Sequence, residues 1–355
     1  MARPTRAVLD PDALRHNLAR VREYAPRSRV MAIVKADGYG HGLEWVAHHL
    51  ADADAFGVAS VEEGERIRAA NMRQPIALLE GFYSASELAR IAQQRLEPVL
   101  HSPEQVEALE AYRGQPINVW IKLDTGMHRL GFPAADAADV LARVKRCTSV
   151  GEVRVMSHLA SADDPADPAT PAQLETFVAS TPRELARSLA NSAGIVGWPA
   201  CHFEWVRPGI MLYGVSPMLG HSAQQLGLRP VMTLETALIA IQPRRKGDAV
   251  GYGGGWRCPE DMPIGVAAIG YGDGYPRHAV PGTPVMVGEG VAPLVGRVSM
   301  DMISVDLRAC PDARVGERVV VWGEGLPIEQ VAASAGTIGY ELLCHVTARV
   351  PRVER

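Results

Sequence analysis

The chain has 355 residues, 47% of them apolar and 21% charged, with a net charge of −4. That length suits about two domains of roughly 150 residues, or one barrel plus something smaller, and the composition excludes a disordered chain. The charge balance argues against a nucleic-acid or membrane-surface binder, and no apolar run approaches the ~20 residues of a membrane helix.

From its start, MARPTRAVLDPDALRHNLARV has no signal-peptide core. Asp10 and Pro11 open a helix, the first as cap and the second in the turn that needs no amide proton, and Leu14, Leu18 and Val21 follow at helical spacing. Short apolar runs then alternate with helical stretches. The runs are VMAIVKA (30–36), AFGVAS (55–60), PIALLEG (75–81), EPVLHS (97–102), NVWIKLD (118–124), VRVMSHLA (153–160), ARSLANS (186–192) and EWVRPGIMLYG (204–214). Most of the first five are about 20 to 25 residues apart, the size of one βα unit. Helices such as VEEGERIRAANM and SPEQVEALEAYR sit between them. Eight such units predict a (β/α)8 barrel of the TIM type. The alternative, an open doubly wound sheet, lacks a Gly-rich nucleotide fingerprint after its first strand. Beyond residue 225 the texture becomes β-rich with closely spaced Gly, Pro and Asp turns, and only PIEQVAASAG reads as helix. The expected division is a barrel over 10–224 and a mostly antiparallel β domain over 225–355, with residues 1–9 able to add a strand to the second. The five cysteines are scattered and form no CxxC pair, so they read as free thiols in a reducing, cytoplasmic compartment, with no metal site.

In a barrel of this kind the active site lies at the C-terminal ends of the strands. The polar residues beside otherwise apolar runs fall there: Lys35 after the first, Arg129 after the fifth, His158 at the sixth, Ser192 at the seventh, and Arg207, Gly209 and Ile210 at the eighth. The stretch AIVKADGYGHG ends an apolar run on a lone lysine and then breaks into glycines. A poorly solvated amine there suits reaction with a carbonyl, although most lysines at strand ends simply face solvent. NSAG (191–194) offers a hydroxyl on a small-residue turn, and RPGI (207–210) offers backbone amides, together a phosphate cradle. A reactive lysine beside such a cradle suggests pyridoxal phosphate.

AIVKADGYGHG, KLDTGMHRLGF, HLASAD, NSAG, VRPGIMLYG, VGYGGGW, AIGYGDGYPR, GRVSMDM and IGYELLC, in this order from residue 30 nearly to 345, resemble the motif series of alanine racemases. The resemblance implies an isomerase that interconverts L- and D-alanine by two bases on an imine of pyridoxal phosphate. Lys35 would form that imine and, once freed, act as one base; Tyr252 would be the other, on the opposite face of Cα. A tyrosine base needs cationic neighbours, and a chain from Arg207 through His158 to Tyr252 would supply them. Tyr39, Ser192, Gly209, Ile210 and Tyr340 would hold the phosphate. Arg207 would face the pyridine nitrogen and, being unable to give up its proton readily, leave the ring a weaker electron sink. Arg129 would contact the cofactor's phenolic oxygen and the substrate carboxylate, steadied by a carboxylated Lys122. Tyr252, Tyr271, Met300 and Asp301 would reach the active site of the other subunit, so the resemblance implies a homodimer with composite sites, a small amino acid as substrate, and neither nucleic acid nor membrane as partner. Two other functions are a racemase of another small amino acid such as serine and a non-enzymatic pyridoxal-phosphate-binding protein; the residues from 225 onward argue against the latter, which resembles only the barrel.

Overall fold

Strands covered by helices on one side and filled by side chains on the other must be apolar on both faces. The runs in the N-terminal half meet that demand: in Ala55–Val58 and Leu96–Leu100 every residue is buried. The computed structural model describes Arg3 to Arg355 and comprises two units, one of residues 15–212 and 216–221, the other of residues up to 14, 213–215 and 222–355. No helix among the described residues is long and apolar enough to cross a membrane.

Strand β1 (Arg6–Leu9) belongs to the second unit. The first unit follows with β2 (Arg29–Ile33), β3 (Ala55–Val58), β4 (Ile76–Leu78), β5 (Leu96–Leu100), β6 (Ile117–Asp124), the two-residue β7 (Phe132–Pro133), β8 (Val150–Met156), β9 (Arg187–Ser188) and β10 (Trp205–Val206). Every pairing among them is parallel. The order β5-β4-β3-β2-β10-β9-β8-β6, with β5 also paired to β6, closes an eight-stranded barrel, and β7 only extends the end of β6. The intervening helices show why they form. Ala137–Arg146 buries Ala137, Val140, Leu141 and Val144 along one stripe and ends on Arg143, Lys145 and Arg146. The helix Val61–Ala69 starts at Ser60, whose side chain accepts the amide of Glu63. Inside the barrel, buried Glu97 and Arg154 pair at 2.5 Å, Glu97 also accepts from Trp120 Nε1 at 3.1 Å, and the Arg154 guanidinium lies over the Trp120 ring. Each buried charge in this polar plug therefore has a partner of opposite charge.

The second unit holds β11 (Met232–Arg244), β12 (Ala249–Val250), β13 (Trp256–Arg257), β14 (Met262–Ala267), β15 (Pro284–Val287), β16 (Gly290–Val295), β17 (Ile303–Asp306), β18 (Arg318–Trp322) and β19 (Arg352–Glu354). All its ladders are antiparallel except that of β1 with β19. The sheet runs β14-β17-β16-β15-β18-β11-β1-β19 and curls so that β11 also pairs with β14. Register shifts at Leu234/Glu235 and Leu238/Ala240 let the long β11 bend between these partners. β12 and β13 form a separate hairpin, whose Val250 joins a small core with Cys258, Met262, Ile264 and Val295 under Trp256.

Three local expectations shift. β2 stops at Ile33, so Lys35 opens a helical turn instead of ending a strand. The seventh apolar run shrinks to Arg187–Ser188, and Ser192 already begins a helix. A second late helix, Gly339–Cys344, carries Tyr340; at six residues and opening on glycine, it has too little periodicity to be seen in sequence.

Candidate active site

After β2, the turn Lys35–Tyr39 winds left-handed: φ is 54° at Ala36, 53° at Asp37 and 62° at Gly38, and 51° at Tyr39. Only Gly38 enters that region without a steric penalty, and a Cβ there would meet Val46 Cγ2 at 2.7 Å. Each non-glycine residue in this conformation costs roughly 1–2 kcal/mol. The turn is stitched by Gly40 N to Ala36 O at 3.1 Å and Gly42 N to Asp37 O at 2.8 Å. It brings Tyr39 over the loop after β10: a Cβ on Gly209 would fall 2.5 Å from the Tyr39 hydroxyl, so only glycine leaves that hydroxyl in place.

The same loop meets Ser192, whose Oγ accepts the amides of Gly209 at 2.8 Å and Met211 at 3.4 Å. The helix Ser192–Gly197 begins here, capped by the Asn191 side chain on Gly194 N. Ile210 is fully buried and starts the next helical turn. The Tyr39 and Ser192 hydroxyls thus meet the loop after β10, where an anion can compete with Ser192 Oγ for the amides it accepts.

Arg207, just past β10, is buried. It donates to Ser188 Oγ at 2.6 Å, Ser157 O at 2.5 Å and Leu189 O at 3.4 Å, and its Nη2 lies 3.4 Å from His158 Nδ1. All four partners are uncharged acceptors. Burial pulls its guanidinium down to about 10, which still leaves it protonated at neutral pH. Burial, then the cations Arg207, Lys122, Arg129 and Lys35, hold His158 well below the ordinary histidine range, so its ring is neutral and Nδ1 can accept from Arg207.

Lys122 lies on β6 with 9% of its surface exposed. Burial first, and then Arg207, Arg129 and Lys35, push its amine down to about 8; Asp124 opposes them weakly. Arg129 itself is exposed, on the loop after β6. The barrel therefore gathers Lys35, Lys122, His158, Arg207 and Arg129 into one electropositive region, with the anion cradle of Tyr39, Ser192 and Gly209 at the same rim.

The second unit assembles its own group. Tyr271 N donates to Ser299 O at 3.0 Å and Gly272 N to Met300 O at 2.9 Å, so the Tyr271 turn and the Met300–Asp301 loop are one piece. Buried Asp273 anchors it by accepting from Arg3 and from Arg349 Nε at 2.7 Å, and Arg349 reaches Asp301 at 2.6 Å. Tyr252 stands 68% exposed at the tip of the β12–β13 hairpin, and Tyr271, Met300 and Tyr340 are also exposed.

The profile described as "Alanine racemase, N-terminal domain" matches residues 9–217, and "Alanine racemase, C-terminal domain" matches residues 231–354. This chain belongs to the alanine racemase family. It is 56% identical to an alanine racemase of Nitrosococcus oceani, with 98% of each chain covered, and 50% identical to one of Vibrio cholerae, with 97% of this chain and 96% of the relative covered. Among solved structures it is similar to the biosynthetic alanine racemase of Pseudomonas aeruginosa, at 48% identity, 99% coverage of both chains and a TM-score of 0.96.

Several residues that shape this racemase-family site carry no signal of their own. Ser157 and Ser188 sit within apolar runs and become visible only as acceptors for Arg207. Gln173, buried in the helix Ala169–Ser180, donates to His158 O at 2.9 Å and accepts Ala160 N at 2.9 Å, tying down the loop after β8. Glu63 does have a signal, the Ser-x-x-Glu of a capping box at 60–63, although its partners differ from those such a box provides.

Proposed function

We propose that the chain interconverts L- and D-alanine, with pyridoxal phosphate held at the barrel rim and a homodimer completing each site. Alanine racemases at 56% and 50% identity over nearly the whole length support the reaction. The observation that carries the site is the buried Arg207, held by uncharged acceptors beside His158, next to the cradle of Tyr39, Ser192 and Gly209. Those donors fit a phosphate, and Lys35 follows β2 on the same rim, so the residues fit this cofactor.

When bound, pyridoxal phosphate supplies an aldehyde that condenses with amines and a ring that withdraws electrons from the attached carbon. Tyr39, Ser192, Gly209, Ile210 and Tyr340 would hold the phosphate. Arg207 would lie against the ring nitrogen and leave it unprotonated, because the guanidinium holds its own proton at neutral pH. Lys35 Nζ takes or returns the α-proton on one face of the amino acid. Tyr252 Oη of a second copy does so on the other face, assisted by His158 and Arg207, and Tyr271, Met300 and Asp301 of that copy help enclose the substrate. The exposed side chains of Tyr252, Met300, Met302 and Ile338 in the second unit support association with another chain. We place the enzyme in the cytoplasm, where its five free thiols stay reduced. Purified protein incubated with L-alanine in deuterium oxide is expected to lose optical rotation while the α-proton exchanges. Exchange without racemisation, or turnover of serine in preference to alanine, would replace this reading.

Lys122 is the carbamylation site. A buried amine near pKa 8 among Arg207, Arg129 and Lys35 is a cation in a cationic field. Its neutral form adds carbon dioxide to give a carbamate and releases one proton, which turns repulsion into attraction and steadies Arg129 at the substrate carboxylate. The unmodified amine, lowered from 10.5 to about 8, weakens the fold by about 3 kcal/mol at all pH values below 8. That penalty fades as pH rises from about 8 to 10.5, where the unfolded chain holds the extra proton. In buffer free of carbon dioxide, Lys122→Met is therefore expected to melt above the parent protein at pH 7, with the gap narrowing towards pH 10. Bicarbonate at pH 8 is expected to raise the melting point of the parent alone. Equal responses of both proteins to bicarbonate would remove the carbamate.

A further inference from the structure

The left-handed turn after β2 contains two consecutive non-glycine residues, Ala36 and Asp37, in a conformation that the isolated chain would leave. Something outside the turn must hold it. Asp37 is tied through its side chain, which accepts from Leu43 N at 3.2 Å and Arg66 Nη2 at 2.8 Å, and Arg66 is fixed in turn by Glu44 at 2.7 Å. His41 Nδ1 lies 3.0 Å from Gly38 O and 2.9 Å from Tyr39 O. Ala36 has no side chain to tie, and its amide donates to Glu63 Oε1 at 2.9 Å.

In a capping box the third helical residue bends back to the amide of its own cap. Glu63 follows Ser60 at that spacing, yet its second oxygen accepts Ala59 N at 2.8 Å and its first reaches across to the neighbouring strand's turn. One carboxylate thus takes two amides from the segments after β2 and β3, adjacent around the barrel. Both bonds are charge-assisted and stronger than bonds to a neutral acceptor.

We propose that Glu63 is a positioning residue for the reaction: its carboxylate holds the strained turn that presents Lys35 and Tyr39 to the same site. The proposal rests on Lys35 as the amine that captures the cofactor. Glu63→Gln replaces one acceptor oxygen with a donor that must face an amide, so one bond is lost. Ala36→Gly removes the steric penalty at the position that Glu63 holds, because glycine enters the left-handed region freely.

The experiment compares the parent protein, Glu63→Gln, Ala36→Gly and the double variant. Hydrogen exchange is followed in the peptide 36–42, and pyridoxal phosphate at limiting concentration is reduced onto the chain with borohydride and mapped. Glu63→Gln is expected to speed exchange in that peptide about tenfold and to lower capture at Lys35 by a similar factor. Adding Ala36→Gly is expected to return both to within about threefold of the parent. A Glu63 that served only its own helix would not be rescued by a glycine 27 positions away. Unchanged exchange in Glu63→Gln, or no rescue by Ala36→Gly, overturns the proposal. Should Glu63→Gln not accumulate as folded protein, its recovery on adding Ala36→Gly supports the clamp and its failure to recover counts against it. Absence of capture at Lys35 in the parent protein would instead refute the assigned role of Lys35, while the exchange comparison would still judge the clamp.

Discussion

Lys35→Ala is expected to abolish covalent capture of pyridoxal phosphate and to lower alanine racemisation at least about a thousandfold, the range that loss of a positioned proton-transfer group commands. The loss has two sources. In the proposed reaction the amine is the group that condenses with the aldehyde, and it is also the base on one face. Lys35→Arg separates these chemical roles from simple charge. Lys35 is one of the cations that depress Lys122 and His158, and arginine preserves a positive charge there. A guanidinium neither condenses with an aldehyde nor gives up its proton at neutral pH. Lys35→Arg is therefore expected to be as inactive as Lys35→Ala. The measurements are borohydride trapping followed by peptide mass, and racemisation by polarimetry. Trapping of the cofactor at another lysine with activity retained would move the reactive amine elsewhere; full activity in Lys35→Arg would make this residue a charge and nothing more.

The barrel is legible in the chain because its strands are continuous apolar runs at the spacing of βα units, a pattern that few other folds require. The rim is legible for a related reason: one lysine at a strand end usually faces solvent, but polar residues beside five of these runs all fall at the same end of the barrel. What the chain hides is geometry that depends on partners distant in sequence. Nothing in Lys35-Ala36-Asp37 announces a left-handed turn, since alanine and aspartate both prefer other conformations, and only the Glu63, Arg66 and His41 contacts explain it. The depressed amine of Lys122 is equally silent: its run, NVWIKLD, is that of any barrel strand, and the shift arises first from burial and then from Arg207, 85 positions later. The helix Gly339–Cys344 and the shortening of β9 to two residues are set by packing over lengths too small for periodicity to register. Residues up to Leu14 group with the residues from Ser222 onward because β1 pairs with β11 and β19. A strand from residues 1–9 in the second domain is expected from the sequence, but its partners, more than two hundred positions away, leave no local trace.

Mixing Lys35→Ala with Tyr252→Phe is expected to restore activity that neither variant has. Phenylalanine keeps the ring on the glycine turn and removes only the oxygen that would carry the proton, so Tyr252→Phe leaves the hairpin tip intact. If each site takes Lys35 from one chain and Tyr252 from its partner, a mixed dimer contains one site with both residues native and one site with neither. Random pairing of equal amounts makes half of the dimers mixed, so about a quarter of all sites are complete and activity returns to about a quarter of the parent level. If Lys35 and Tyr252 served the same site from one chain, every site in the mixed dimer would lack one base, and activity would stay at the floor. Coexpression with two different tags and sequential purification isolates the mixed species, in which half the parent activity is then expected. Tyr252→Phe alone adds an independent check on the division of labour between the two faces: with its Lys35 present, it is expected to exchange the α-proton of D-alanine in deuterium oxide while leaving that of L-alanine in place. Equal loss of both exchanges would show that Tyr252 serves both directions. Recovery in the mixed dimer together with this asymmetry requires two bases on opposite faces, contributed by two chains.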